Sequence, residues 1–244
     1  MNRSRRLAGV ALVAIATAMS AAMSARPALP AGVYAPSSPN PPAGYKITYA
    51  HNFTSQGMGD WRVQPNASGV VSVSTRFGLG IDLTAESQWT EIIGTDAVVG
   101  PISFVKALIY IPAASGGYTA NWPAWWTAGS PWPNNGEIDM LEAQIHGRSC
   151  AQTHYGSTAR EISSSRYCAP LGKLGVGWVT VTMLRTGGKV TVWYGNTKMA
   201  TVALPPTGKQ KLVFQDQDRP GTCCNGPIVY PSTVWLSRVT VWAK

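Results

Sequence analysis

Acidic residues are scarce in this chain: eleven Asp and Glu stand against twenty Lys and Arg among 244 residues, for a formal charge of +9. The cations are scattered and form no runs, and no nucleic-acid-binding motif accompanies them, so no nucleic-acid partner is expected. Cysteine is also sparse. Cys150, Cys168, Cys223 and Cys224 show neither a Cys-x-x-Cys nor a Cys/His spacing, which removes the usual zinc sites. No cofactor and no metal ligand set is expected, and a structural calcium has no signature that can be read. No amphipathic helical stripe, no internal repeat and, beyond the amino terminus, no apolar run long enough to cross a bilayer is present.

The amino terminus has what the rest lacks. Arg3, Arg5 and Arg6 precede an Ala-rich apolar run from Leu7 to about Ala18, with small residues around Ser24 and Ala25. That layout predicts a secretory signal peptide over 1–25, and with it a secreted, extracellular protein free of the membrane after cleavage. The three arginines carry +3 with no acid beside them, so the mature chain keeps +6. Residues 26–44, rich in Pro, Ser and Gly, read as a linker or disordered lead. Residues 45–244 are one domain's worth of chain, expected to be monomeric. Export permits disulfides, and the four cysteines allow three pairings, all open at this level.

Strand signals dominate. Segments 70–75, 78–84, 102–111, 137–144, 178–184, 189–194, 198–204, 211–215 and 234–242 are short, rich in β-branched and aromatic residues, and bounded by Gly, Pro or Asn. Gly187-Gly188 and Gly195-Asn196 sit where tight hairpins would join the later strands. The expected class is all-β, an antiparallel sandwich. A curved sandwich offers a concave groove suited to a polymer, yet that architecture serves lectins, adhesins and enzymes alike.

The densest acid cluster is Gly136-Glu137-Ile138-Asp139-Met140-Leu141-Glu142. Strand alternation puts Glu137 and Asp139 on one face and turns Glu142 away. One extra residue, a β-bulge within Met140-Leu141, would return Glu142 to their face. Crowded carboxylates raise the pKa of at least one member. A retaining glycoside hydrolase needs that inequality: one ionised carboxylate attacks the anomeric carbon while a protonated one donates to the leaving oxygen. Solvent-facing acids on an ordinary strand are the competing reading. Trp122, Trp125, Trp126 and Trp132 precede the cluster, and flat rings stack on sugars. Core packing is the default for each Trp, with Trp126 and Trp132 the candidates for substrate contact.

The stretches Trp122-Pro123-Ala124-Trp125-Trp126, Gly136 to Glu142 and Thr153-His154-Tyr155-Gly156 together resemble glycoside hydrolase family 16, the laminarinase, lichenase, agarase and carrageenase group, in its bulged Glu-x-Asp-x-x-Glu form. The resemblance is specific over 121–156 and weaker elsewhere. It implies a concanavalin-A-like β-jelly roll and retaining endo-hydrolysis of a β-linked polysaccharide, with a β-1,3- or β-1,3-1,4-glucan as the default substrate. It further implies Glu137 as nucleophile, Asp139 as the residue tuning protonation and Glu142 as general acid/base. His154 matches the family's histidine beside the acid/base, with a structural histidine as the alternative. Asn134-Asn135 and Ala143-Gln144 depart from the common pattern, as does the loop from Gly147 to Cys168, and these touch the substrate more than the reaction class. A non-catalytic glycan-binding jelly roll, a transglycosylase and a galactanase of the same family are the alternatives.

Overall fold

A computed structural model describes residues 37–114, 119–145, 148–156, 163–170, 177–204, 207–218 and 228–244. The expected signal segment, most of the lead, His146, Cys223 and Cys224 lie outside the described residues.

Two antiparallel sheets face each other. The eight-stranded sheet contains β1 (Lys46–Asn52), β3 (Val70–Ser74), β4 (Gly78–Leu83), β6 (Ser103–Ile111), β11 (Gly177–Thr186), β12 (Lys189–Tyr194), β13 (Thr197–Ala203) and β15 (Ser232–Ala243). Its order is β13-β12-β11-β6-β15-β4-β3, with β1 also paired to β15. The seven-stranded sheet contains β2 (Trp61–Val63), β5 (Trp89–Val99), β7 (Ala124–Gly129), β8 (Glu137–Ile145), β9 (Arg148–Tyr155), β10 (Ser163–Pro170) and β14 (Gln210–Gln217). Its order is β10-β9-β8-β7-β14-β5-β2. One short helix, α1 (Phe53–Gln56), is capped at its start by the Asn52 side chain, which accepts from the Thr54 amide.

Alternation along the strands builds the core. On β6, Val105, Ala107, Ile109 and Ile111 point inward; on β11, Val179, Val181 and Met183 do so. Trp61 and Trp125 fill the opposite layer, stacked with ring centroids 6.0 Å apart, and Phe53 and Phe214 meet their edges. Gly187 and Gly188 both carry positive φ, the backbone that the two-residue β11–β12 hairpin demands.

All nine segments read as strands from the sequence are strands, within a few residues at their ends. In β9 and β10, Cys150 stands directly opposite Cys168.

Candidate active site

The decisive local feature is in β8. Against β7, Asp139 pairs with Trp126 and Leu141 with Trp125, so Met140 is an extra residue with no partner of its own in that ladder. Against β9, Asp139 pairs with Gln152 and Glu142 with Cys150, three steps on one strand against two on the other. This is the expected bulge, seen from both neighbours.

Apolar burial explains it. Met140 and Leu141 are consecutive, yet both are buried in the core between the sheets, along with Ile138 and Ala143. A regular strand would bury one and expose the other, forfeiting about 2 kcal/mol of apolar transfer. The bulge buries both and leaves Glu142 on the outer side.

Glu137, Asp139 and Glu142 accordingly line one groove of about 640 Å³ on the outer face of the seven-stranded sheet. Its floor is laid by alternate residues of neighbouring strands: Ala124, Trp126 and Ala128 from β7, Gln215 and Gln217 from β14, Trp89 and Glu91 from β5. Trp122 and Trp132 enter from the segments flanking β7. The alanines opposite Glu142 and Glu137 in the ladder leave room above the carboxylates. Trp125, by contrast, is fully buried and belongs to the core.

The three acids are held unequally. Glu137 Oε2 accepts a 2.7 Å hydrogen bond from the Trp132 indole Nε1, and His154 Nε2 lies 3.9 Å from Glu137 Oε1. Burial pushes the Glu137 pKa up, while electrostatic interaction with His154, the Trp132 donor and a hydrogen bond from Asp139 oppose the rise. Asp139 is only 3% exposed, and burial drives its pKa well above the ordinary carboxylate value, with the neighbouring Glu137 adding to the rise. Asp139 is therefore the proton holder of the pair, donating to the Glu137 carboxylate. His154 Nε2 is 3.4 Å from Asp139 Oδ2.

Gln152, buried on β9, donates to Glu142 Oε2 and also hydrogen-bonds Asp139, tying the acids together from below. Glu142 is nearly buried as well. Candidate ligand atoms of Glu137, Asp139 and His154 fall within 4.8 Å of one another, close enough for a cation.

A family model described as the XgeA-like catalytic domain of glycoside hydrolase family 16 matches residues 104–169, the span that holds β7, the bulged β8 and β9. Over that span the chain is similar to glycoside hydrolase family 16. A probable glycosidase of Schizosaccharomyces pombe is 46% identical over 46 residues, which are 19% of this chain and 10% of that protein. A probable endo-1,3(4)-beta-glucanase of Aspergillus niger is 28% identical over 131 residues, 51% of this chain and 16% of that one. The chain thus matches a sixth or less of the length of these two relatives. A family 16 endo-glucanase from Bacteroides ovatus superposes with a TM-score of 0.63 at 15% identity, covering 79% of this chain and 99% of that one. The jelly-roll fold expected from the sequence is shared across that whole comparison.

Within this groove, the structure places the site residues singled out from the sequence together. Trp126 and Trp132 line the groove. His154 packs against Glu137 and Asp139, across the β8–β9 ladder from Glu137. Glu91, Gln215, Gln217, Trp89 and Gln152 were not legible as site residues. Glu91, Trp89, Gln215 and Gln217 lie on β5 and β14, far from the acid motif in sequence, and only parity against their core residues would have marked them; Gln152 sits beside Thr153-His154 on β9, whose polar buried residues hide its direction.

One prediction arises here. Asp139 has an ordinary pKa of 3.8 that is raised in the folded chain, so the unfolded chain releases this proton first as pH rises. Its contribution to stability is present below about 3.8 and is lost as pH climbs through the raised value. Asp139→Asn cannot ionise and escapes that loss. Its thermal unfolding midpoint should exceed the wild type's at about pH 8 by more than at about pH 3.5. Equal differences at both pH values would show that Asp139 ionises in the fold without cost.

Proposed function

We propose that this chain is a secreted retaining endo-hydrolase that cleaves a β-linked glucan through a covalent glycosyl-enzyme intermediate. The observation that carries the proposal is the bulge at Met140, which puts Glu137 and Glu142 in one groove four ladder positions apart, opposite Ala128 and Ala124. Four positions span about 13 Å of strand, and two glutamate side chains leaning toward each other close that to about 5–6 Å, near the separation of a double displacement.

In that reaction Glu137, as the carboxylate that Trp132 and Asp139 donate to, attacks the anomeric carbon as Glu142 protonates the departing glycosidic oxygen. Glu142, then a carboxylate, takes a proton from water. The water oxygen bonds to the anomeric carbon and frees Glu137. Trp122, Trp126 and Trp132 supply flat faces for the sugar rings.

Charge supports a neutral substrate. Among the described residues the groove lining includes Glu91, Glu137, Asp139 and Glu142 and no Lys or Arg, so sulfated or uronic chains meet repulsion there. The names of the Aspergillus niger and Bacteroides ovatus relatives favour a glucan within the neutral class. On laminarin, lichenan, agarose, carrageenan and xyloglucan, new reducing ends are expected from a β-1,3- or β-1,3-1,4-glucan. Cleavage confined to carrageenan would overturn the substrate assignment.

Export rests on the amino-terminal pattern and on the β9–β10 ladder. Directly opposed residues of an antiparallel pair have Cα atoms about 4.5–5.5 Å apart, inside the range a disulfide requires. Protein collected from culture medium should begin near residue 26 and yield a non-reduced peptide joining Cys150 to Cys168. Intracellular retention with residues 1–25 intact would contradict secretion.

A further inference from the structure

The outward face of the eight-stranded sheet carries a second cavity, of about 290 Å³, on the opposite side of the sandwich from the groove. Lys106 of β6 and Arg238 of β15 both line it. Their positions follow from the ladder: Arg238 is opposite Leu108, and Thr240 is opposite Lys106. Among the described residues neither cation meets a carboxylate. Lys106 is instead placed over the Phe104 ring, 5.9 Å from its centroid.

Two like charges sharing one cavity are costly unless something negative answers them. Burial and the adjacent Arg238 together depress the Lys106 pKa. Thr180 adds an independent sign. It is 2% exposed and lines the cavity, and its buried Oγ1 has no hydrogen-bond partner among the described residues. A buried hydroxyl without a partner costs on the order of 1–3 kcal/mol. Thr240 and Ser38 bring two further hydroxyls. Ser37, which receives a hydrogen bond from the Asn196 amide, closes the edge. The chain's own amino-terminal segment supplies no counter-charge, since its first Asp or Glu is Asp60.

We propose that this cavity is an oxyanion site, built by Lys106, Arg238 and Thr180 for a carboxylate or sulfate group. Aromatic rows on either side point to a saccharide as its carrier. Tyr110 and Trp178, ring centroids 5.5 Å apart, lie one outward row beyond Leu108 and Thr180. Trp242, half-buried and packed against the buried Phe104, lies one row beyond Thr240. Trp242 stands opposite Phe104, so its row is six strand positions from that of Tyr110, about 20 Å, the length of a short oligosaccharide. A chain of acidic sugars laid across that face would stack at both ends and place an acid group between the cations. The acid-lined groove handles a neutral polymer while the opposite face holds an anionic one, so the site would fasten the protein to acidic wall polysaccharide without engaging the groove.

Calorimetric titration at low salt tests this on the full chain carrying Glu137→Gln, which prevents turnover, with binding as the readout independent of hydrolysis. The probes are inorganic sulfate, hexagalacturonate and laminarihexaose. Lys106→Met and Arg238→Met should each weaken hexagalacturonate at least about tenfold, while Lys189→Met, the same charge change on exposed β12, should leave it unaltered. Circular dichroism and unaltered laminarihexaose titrations verify folding of both variants. Sulfate binding that is lost in both variants, with no hexagalacturonate binding, supports the site and assigns it to a free anion. Binding of neither anion, or equal binding by all three variants, overturns the proposal.

Discussion

Glu137→Gln is expected to reduce kcat on the best glucan by at least about a thousandfold while KM changes little. The amide is nearly isosteric with the carboxylate and can still take the Trp132 hydrogen bond through its oxygen, so groove shape is preserved. It cannot attack the anomeric carbon. A sharper form uses Glu137→Gly with an activated aryl glycoside and azide. Azide enters from the side the carboxylate vacated, a carbon–nitrogen bond forms as the aryloxide departs, and the glycosyl azide emerges with inverted configuration. Glu142→Gly under the same conditions should give the retained product, because Glu137 still forms the intermediate that azide then opens. Exchange of these two outcomes would exchange the roles of the two glutamates; full turnover by Glu137→Gln would remove Glu137 from the mechanism.

Changing the number of residues between Asp139 and Glu142 should have opposite consequences depending on sign. Insertion of one alanine after Met140 makes the interval six, so a regular strand keeps Ile138, Met140 and Leu141 inward and Glu142 outward but sets Glu142 two ladder positions farther from Glu137. Turnover should fall by about a thousandfold, as for loss of the general acid, because two positions add about 7 Å of strand between the two glutamates. Deletion of Met140 removes the residue that has no partner against β7, leaving Asp139 opposite Trp126, Leu141 opposite Trp125 and Glu142 opposite Ala124. Glu142 keeps its face. The deletion variant should retain turnover within about tenfold while losing about 2–5 kcal/mol from the vacated Met140 site, read from urea unfolding. A deletion variant as inactive as the insertion would show that the bulge does more than restore parity.

Much of this site was legible because its acids are local. Five intervals separate Glu137 from Glu142, an odd number, and an odd spacing on a strand can share a face only through an irregularity. The apolar doublet Met140-Leu141 marks where that irregularity falls. The strands missed from the sequence fail for physical reasons of their own. β9 buries Ser149, Gln152 and Thr153, so its polar residues mask the inward pattern. β5 shifts register against β14 between Lys211 and Val213, which breaks a simple alternation over its eleven residues. β7 is a tryptophan-rich stretch whose Trp125 and Trp126 face opposite sides, one to the core and one to the groove. Glu91 shares the groove with Glu137 from β5, and its own pKa is raised, first by burial and then by the Glu137 charge. Nothing near Glu91 in the sequence announces that proximity.

Because all three acids ride on a single strand, their mutual placement is set by six consecutive residues and not by how the two layers happen to slide or twist. Distant loops and outlying strands can drift freely so long as that short cassette keeps its kink and its two flanking neighbours. The family model accordingly matches 104–169, while a fold comparison at 15% identity still spans 79% of the chain. Chemistry here is inherited as a compact hairpin-sized insert, and the remainder of the sandwich is scaffolding open to redesign.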